Sequence, residues 1–178
     1  MTSEDLTLWA PRAEAVSIVL PGSGDTRAMQ ATGDGWWSTP ALAPGTDYAF
    51  SLDGADPRPD PRSPWQPVGV HGPSRTFDSS EFQWPADGWQ GRKAPGAVHY
   101  ELHVGTFTPE GTLDSAISRL GYLADLGIEM VELMPLAAFD GDRGWGYDGV
   151  SPYSVHAPYG GPAALQRFVA AAHGVGIG

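Results

Sequence analysis

The chain lacks cysteine, is poor in basic residues and has no long apolar run. With no cysteine, it can form neither a disulfide framework nor a thiolate metal site, and it suits a reducing compartment. Ten basic residues against 21 acidic ones give a net charge of −11, which disfavours nucleic acid and anionic membranes as partners. A neutral or cationic ligand is expected.

No apolar segment approaches the roughly 20 residues that a membrane-spanning helix needs. The first five residues, Met1 to Asp5, are acidic and lack the basic start and apolar core of a secretory leader. We therefore expect a cytoplasmic protein with no membrane partner.

The first part of the chain reads as short strands between turn residues. Apolar residues alternate with other residues at Leu6 and Leu8, at Val16 to Leu20 and at Tyr48 to Leu52. This period of two, with frequent Gly and Pro, predicts a β-sandwich.

Residues 56–74 hold six prolines, which exclude a central strand or a helix. Such a segment is either a flexible linker or a packed loop. Interleaved side chains able to pack favour the loop: Trp65, Val68, Val70 and His71.

From residue 98 onward the pattern changes to alternating strands and helices. We predict a strand over 98–106, a helix that starts after Thr112 and ends before Gly127, and a strand over 128–134. A second helix follows over 162–173, ending before Gly174, and residues 175–178 begin a third strand. Strand–helix alternation indicates a parallel sheet.

A change of pattern at 94–97 predicts two domains, a β-sandwich over 1–94 and an α/β domain over 95–178. A (β/α)₈ or TIM barrel needs about 250 residues. The second domain therefore supplies only the first βα units of an incomplete barrel.

Two carboxylates, Glu101 and Glu132, lie within predicted strands, and Glu101 shares a face with His103. Paired carboxylates carry out glycoside hydrolysis. Catalytic groups of barrels gather at strand ends, however, so the alternative is a buried structural network of these three side chains.

The long loop after the second strand is rich in aromatic rings, acids and glycines. Trp145 and Tyr147 offer faces that stack on a sugar, and Asp148 can accept hydrogen bonds from its hydroxyls. The same loop would also serve as a structural lid, with Asp140 and Asp142 as turn formers or calcium ligands. The histidine spacing is not typical of zinc, and we assign no metal or cofactor.

Several motifs together resemble the trehalohydrolases of the α-amylase superfamily. The matching segments are Leu8 to Ala13, Pro59 to Ser74, Tyr100 to Thr108, Val131 to Pro135 and Gly144 to Gly149. The resemblance covers nearly the whole chain, and the segment from Pro59 to Ser74 is the most specific to this family.

The resemblance implies an immunoglobulin-like, early-set module of the kind found in glycan-binding proteins, followed by a glycosidase barrel. It implies that Tyr147 stacks under the sugar at the cleavage subsite, with Trp145 and Asp148 as further substrate-binding residues. The family reaction is retaining hydrolysis of the α-1,4 bond next to the trehalose end of malto-oligosyltrehalose. The family's three catalytic carboxylates lie on later strands, so we expect no catalytic residue and no activity in these 178 residues alone.

Two alternatives stay open. A glycogen branching or debranching enzyme shares the architecture but lacks the loop from Trp65 to Ser74. A non-catalytic α-glucan-binding protein would use tryptophans of the sandwich as stacking platforms: Trp36, Trp37 or Trp65.

Overall fold

The computed structural model describes residues 5–85 and 88–178. Residues 1–4, which belong to the acidic N-terminal segment used above as evidence against a leader, lie outside the described ranges. The strands of the described ranges are β1 (Leu6–Trp9), β2 (Val16–Leu20), β3 (Asp25–Ala28), β4 (Gln30–Gly33), β5 (Trp36–Thr39), β6 (Asp47–Leu52), β7 (Ser74–Arg75), β8 (His99–Leu102), β9 (Met130–Leu133), β10 (Ala137–Ala138) and β11 (Ser151–Val155). The helices are α1 (Val104–Phe107), α2 (Leu113–Ile117), α3 (Leu120–Asp125) and α4 (Gly161–Gly174), with 3-10 turns at Ser79–Glu81 and Ala157–Tyr159.

The first part of the chain is a β-sandwich, as predicted. One described sheet has the order β1-β5-β4 and the other β3-β2-β6-β7. The three predicted strands lie in β1, β2 and β6. Their alternate side chains point inward, and these residues form a buried core between the sheets: Leu8, Ala10, Val16, Ile18, Leu20, Met29, Tyr48 and Phe50.

The proline-rich segment is a packed loop, as favoured above. Val70 is buried, and Trp65 is half-buried against Phe77. Val68 and His71 instead face solvent. The loop also reaches the α/β part, where Ser154 Oγ donates to the buried Ser63 carbonyl over 2.7 Å.

A buried hydrogen-bond network holds this loop to the sandwich. Asp60 is 4% exposed and accepts from the Tyr48 hydroxyl over 2.7 Å. Its backbone N–H donates to Ser74 Oγ, which also accepts from Gln66 Nε2. Burial, reinforced by the Asp60 charge, raises the pKa of Tyr48 well above its usual value, so this phenol stays a donor.

The α/β part is built on the parallel pair β8 and β9, with Glu101 opposite Glu132 and Leu102 opposite Leu133. Residue 178 continues this sheet. The Gly178 N–H donates to the Glu129 carbonyl and the Val131 N–H to the Gly178 carbonyl, each over 2.9 Å. This is the parallel-ladder pattern, so the predicted third strand begins beside β9.

In residues 5–85 and 88–178, the helices cover one face of this sheet. The core under them contains Leu102, Leu113, Leu120, Leu123 and Phe168, among others. The opposite face, which carries Glu101 and Glu132, is exposed.

The buried network of Glu101, His103 and Glu132, offered above as the alternative to a catalytic pair, is not formed among the described residues. No hydrogen bond or ion pair joins the two carboxylates in the part of the chain that the structure describes, and both are exposed. Their equal charges disfavour a direct contact. The His103 ring is bonded instead to Gly144, Tyr159 and Thr106.

Several predicted boundaries in the α/β part differ from the structure. The first strand ends at Leu102 rather than at 106, because residues 104–107 form a helical turn. The helix predicted after Thr112 is two short helices. Ser118 separates them, because its hydroxyl bonds the Ser115 carbonyl over 2.7 Å and competes with the helical ladder.

Both helical segments that lead into a parallel strand end in the same Schellman motif. The Gly127 and Ile128 N–H groups bond the carbonyls of Ala124 and Leu123, as predicted for a C-terminal Gly127. Helix α4 repeats this at Gly176 and Ile177, which bond His173 and Ala172. Gly174, predicted to lie just past the helix, is instead its last residue, and Gly176 is the glycine that closes the motif.

Among the described helices, none combines the length and the apolar character needed to cross a bilayer.

Capping of α2 is as predicted, with Thr112 Oγ1 accepting from the Ser115 N–H over 3.1 Å.

Replacing Asp60 with alanine should destabilise the sandwich and its loop. The Tyr48 hydroxyl, 1% exposed, would lose its acceptor, and a buried polar group left unpaired costs about 1–3 kcal/mol. Urea unfolding followed by tryptophan fluorescence measures the effect. The matched control is Asp56→Ala at an exposed position, expected within about 0.5 kcal/mol of the unsubstituted chain. Equal urea midpoints for Asp60→Ala and Asp56→Ala would show that the network around Asp60 does not stabilise the folded chain.

Candidate functional site

The carboxyl ends of β8 and β9 meet at one edge of the sheet, and the aromatic loop lies over this edge. The loop, residues 139–150, connects β10 to β11, which pair antiparallel. The Val150 N–H donates to the Ala138 carbonyl over 2.8 Å, and the His156 N–H to the Leu136 carbonyl over 2.8 Å. Both ends of the loop are thereby fixed by the β10–β11 hairpin.

Glycines let the loop lie close to the end of β9. A Cβ at Gly146, whose φ is +84°, would stand 2.5 Å from the Pro135 carbonyl oxygen. A Cβ at Gly149 would stand 2.9 Å from Ala137 Cβ. Both distances are too short for a side chain, so this approach requires glycine. The rings of Trp145 and Tyr147 flank Gly146 and project outward, 73% and 70% exposed.

His103, at the end of β8, ties the strand to the loop. Its Nε2 lies 2.8 Å from the Gly144 carbonyl and 3.0 Å from the Tyr159 hydroxyl, and its Nδ1 lies 3.0 Å from Thr106 Oγ1. A carbonyl only accepts, so Nε2 carries a proton and donates to Gly144. In the neutral ring, Nδ1 then accepts from the Thr106 hydroxyl.

A cluster of buried rings supports the loop from below. Phe139 stacks on His156 with ring centres 3.8 Å apart, and Tyr159 meets His156 edge-on at 4.9 Å. Burial lowers the pKa of His156, although Asp142 and Asp148 oppose this, and burial raises the pKa of Tyr159. Both side chains are therefore held neutral near pH 7.

These groups form the wall and floor of an open cleft of about 540 Å³. Its lining is His103, Gly105, Thr106, Asp142, Arg143, Gly144, Trp145 and Tyr159. Of the predicted substrate-binding residues, Trp145 lines this cleft. Tyr147 and Asp148 follow it on the same loop and are exposed, but they do not belong to the lining.

Sequence reasoning missed His103 as a link to the loop, and it missed His156 and Tyr159 as the support under it. These residues come from separate segments, and no local spacing joins them. The cleft has flat rings, hydrogen-bonding groups and one carboxylate, Asp142, which suits the binding of a hydroxyl-rich neutral molecule. Residues 5–85 and 88–178 contain no group of three or more His, Asp or Glu placed to hold a metal ion.

The buried His156 predicts a loss of stability in mild acid. Its pKa in the folded chain is below the ordinary value of 6.5, so below pH 6.5 the unfolded chain binds more protons. Stability should be complete above pH 6.5 and decline as the pH falls towards 5. His156→Phe keeps a stacked ring and should flatten this decline.

Thermal melts of both proteins between pH 8 and pH 5 test this. The melting temperature at each pH is compared with that of the same protein at pH 8. The difference in packing between the His and Phe rings then cancels. Parallel curves would show that His156 does not couple to folding.

Comparison with known proteins finds close relatives. A malto-oligosyltrehalose trehalohydrolase of Rhizobium sp. (strain M-11) is 51% identical over 178 residues, covering 96% of this chain and 30% of the relative. One from Mycobacterium tuberculosis H37Rv is 49% identical over 180 residues, covering 98% and 30%. A 1,4-α-glucan branching enzyme of Vibrio parahaemolyticus is 32% identical, covering 96% and 25%. The chain thus spans about 30% of the length of the trehalohydrolases that it matches.

Among solved structures, a putative α-amylase from Salmonella typhimurium superimposes with a TM-score of 0.92 at 44% identity, over 99% of this chain and 31% of that protein. No protein-family model matches the chain. Over nearly its whole length the chain is therefore similar to the N-terminal part of malto-oligosyltrehalose trehalohydrolases, and it superimposes on part of an α-amylase-type protein.

Proposed function

We propose that the protein takes part in trehalose biosynthesis as a malto-oligosyltrehalose trehalohydrolase. In this proposal the complete protein hydrolyses the α-1,4 bond next to the trehalose end of malto-oligosyltrehalose and releases trehalose. The observation that carries the proposal is the identity of 49–51% to trehalohydrolases over nearly the whole chain. The open cleft at the strand ends supports it.

We assign residues 1–94 to an immunoglobulin-like early-set module and residues 95–178 to the start of a (β/α)₈ barrel. Two observations support the barrel. Successive parallel strands are added in one direction, from β8 to β9 to Gly178, with helices on one face. The other face carries Glu101 and Glu132 side by side, the position of the interior layers of a barrel.

Trp145, Tyr147 and Asp148 are proposed to bind the sugar. The loop that carries them lies over the carboxyl ends of the strands, where barrel enzymes have their active sites. The exposed rings of Trp145 and Tyr147 can stack on a pyranose face, and the Asp148 carboxylate can accept from its hydroxyl groups. The glycines beside these rings let the loop backbone pack closely on residues 135–137, and the rings stay exposed.

Hydrolysis needs more than this cleft. Retaining glycosidases use two carboxyl groups about 5–5.5 Å apart, whereas the lining contains the single carboxylate Asp142. We propose that the nucleophile, the acid/base and a second aspartate lie on the fourth, fifth and seventh strands of the complete barrel. The residues of this chain would then bind and orient substrate, and the compartment would be the cytoplasm.

A branching enzyme is the second candidate, supported by the similarity of 32% to one such enzyme. The trehalohydrolases are closer by some 17 to 19 percentage points of identity, as 49% and 51% compare with 32%. The product of the reaction separates the two candidates, since branching releases no trehalose.

The first test is to read the gene downstream of the Gly178 codon and to express the complete open frame. We expect strands that carry an aspartate, a glutamate and a further aspartate, and an enzyme that releases trehalose from malto-oligosyltrehalose. Transfer of glucan branches without trehalose release would favour the second candidate. A stop codon directly after Gly178 would contradict hydrolysis by this protein.

Within that enzyme, Tyr147→Ala should lower kcat/KM about tenfold or more. Loss of one stacked ring removes about 1.5 kcal/mol, which corresponds to about a factor of ten. Tyr153→Ala is the matched control, because Tyr153 is 65% exposed on β11 and lies outside the loop. Equal activity of both variants would remove Tyr147 from the substrate site.

A further inference from the structure

One contact joins the proline-rich loop of the sandwich directly to the aromatic loop. His71 Nε2 lies 3.8 Å from Asp140 Oδ1, and both side chains are 79% exposed. Asp140 is the second residue of the aromatic loop and directly follows the buried Phe139. Two residues further on, Asp142 lines the cleft. The sandwich therefore meets the aromatic loop just before the residues that form the cleft wall.

The turn that carries His71 is held in place from within the proline-rich loop. Val70, its neighbour in the chain, is 2% exposed. The Gly72 N–H donates to the Gly69 carbonyl over 3.2 Å. A Cβ at Gly72 would lie 2.4 Å from Val68 Cγ2, so the turn is closed tightly around this glycine. The backbone of His71 is thus restrained on both sides, and its exposed ring extends from a packed base.

A second contact joins the same two parts on the other side of the aromatic loop. Ser154, on the strand that follows this loop, donates from its Oγ to the Ser63 carbonyl over 2.7 Å. Both serines are buried, at 3% and 0% exposure. The Ser63 hydroxyl in turn donates to the Trp65 carbonyl over 2.8 Å. The proline-rich loop therefore contacts the chain both before and after the part of the aromatic loop that lines the cleft.

The segment 140–143 has no other polar restraint. Its neighbours Phe139 and Gly144 are anchored, the first by ring stacking and the second through its carbonyl. Within residues 5–85 and 88–178, no hydrogen bond holds residues 140–143, and no ion pair does so other than that of His71. The segment nevertheless supplies two of the residues that line the cleft. The His71 contact is thus the polar contact that restrains this part of the cleft wall.

Charge favours the contact. The aromatic loop contains three carboxylates, Asp140, Asp142 and Asp148, and the cation Arg143. Like charges close together repel one another, which favours many arrangements of an unbonded segment over one. A protonated His71 supplies the opposite charge from outside the loop. Exposed ion pairs are weak, and they shift a conformational equilibrium about two- to fivefold without deciding whether the chain folds.

We propose that His71 is a positioning residue for the cleft, which holds Asp140 from the sandwich and thereby places Asp142 and Arg143 in the cleft wall. His71 acts through Asp140 and does not touch the substrate. The dependence of substrate affinity on this contact rests on the proposed function, whereas the restraint on the loop does not. The sandwich then contributes to the geometry of the substrate site.

The first test measures the motion of the segment in the 178-residue chain. Because the chain has no cysteine, Arg143→Cys carries a nitroxide label at one defined position. Electron paramagnetic resonance then separates mobile from immobile label. In this background His71→Ala should raise the ratio of mobile to immobile label about two- to fivefold.

A charge series separates the ion pair from other effects of the substitution. His71→Lys, whose charge is permanent in the neutral range, should keep the label ratio of the unsubstituted chain or lower it. His71→Glu places two carboxylates together and should raise the ratio further. Adding Asp140→Lys to His71→Glu reverses both charges and should restore the ratio.

The matched control is Arg27→Ala. Arg27 lies 3.6 Å from Asp25 in an exposed ion pair on β3, an edge strand of the sandwich. This variant removes an ion pair of the same kind and should leave the label ratio unchanged. Thermal melts should agree among all variants, because the substituted side chains are exposed.

The second test uses the complete enzyme. His71→Ala should raise KM for malto-oligosyltrehalose about two- to fivefold and leave kcat unchanged, because it loosens residues that bind substrate and not the reacting groups. His71→Lys should restore KM, and Arg27→Ala should alter neither constant.

An unchanged label ratio in folded His71→Ala would overturn the proposal, and so would faster motion that the reversal of both charges does not restore. Faster motion with an unchanged KM would remove His71 from the substrate site. If the complete frame releases no trehalose, the proposed function fails. The label ratio alone then decides whether His71 positions the loop.

Discussion

Parallel pairing of β8 with β9 is the constraint on which the candidate site depends. Parallel strands present their carboxyl ends at one edge, so the residues that follow each strand meet there. His103 follows β8, and the segment leading to the aromatic loop follows β9. In this arrangement His103 reaches the aromatic loop, and its Nε2 bonds the Gly144 carbonyl over 2.8 Å. The pairing is stabilised by the apolar core between one sheet face and the helices, and that core therefore also positions the cleft.

Strands β1, β2, β6, β8 and β9 and the order of the α/β elements followed from the sequence, whereas the other strands, among them the β10–β11 hairpin, and the element ends did not. Gly174 and Gly176 are both able to end α4 by local chemistry. The last helical residue is Gly174, and Gly176 closes the Schellman motif because the residue after it, Ile177, is 1% exposed in the core. The apolar contact that accompanies a Schellman motif decides between the two glycines.

The site was predictable in part. Trp145, Tyr147 and Asp148 stand together in a glycine-rich loop, and that local density pointed to them. The supporting residues His103, His156 and Tyr159 are distant from the loop glycines in sequence or lie in the next element. Their roles arise from packing, as the stacking of His156 on Phe139 illustrates. For Glu101 and Glu132 the reverse holds. Strand alternation correctly placed them on one face of the sheet, but it did not predict that this face is exposed.

The proline-rich loop gives the two parts of the chain a fixed relation. It is bonded to the sandwich through Asp60 and Ser74 and to β11 through Ser63. A Cβ at Gly161, the first residue of α4, would lie 3.0 Å from Trp65 Nε1, so the indole packs directly on the helix start. Prolines restrict the loop in the unfolded chain as well, which lowers the entropy lost when it becomes ordered. The segment therefore acts as a spacer that seats the sandwich against the helix and hairpin beside the cleft, and its sequence is constrained by both parts at once.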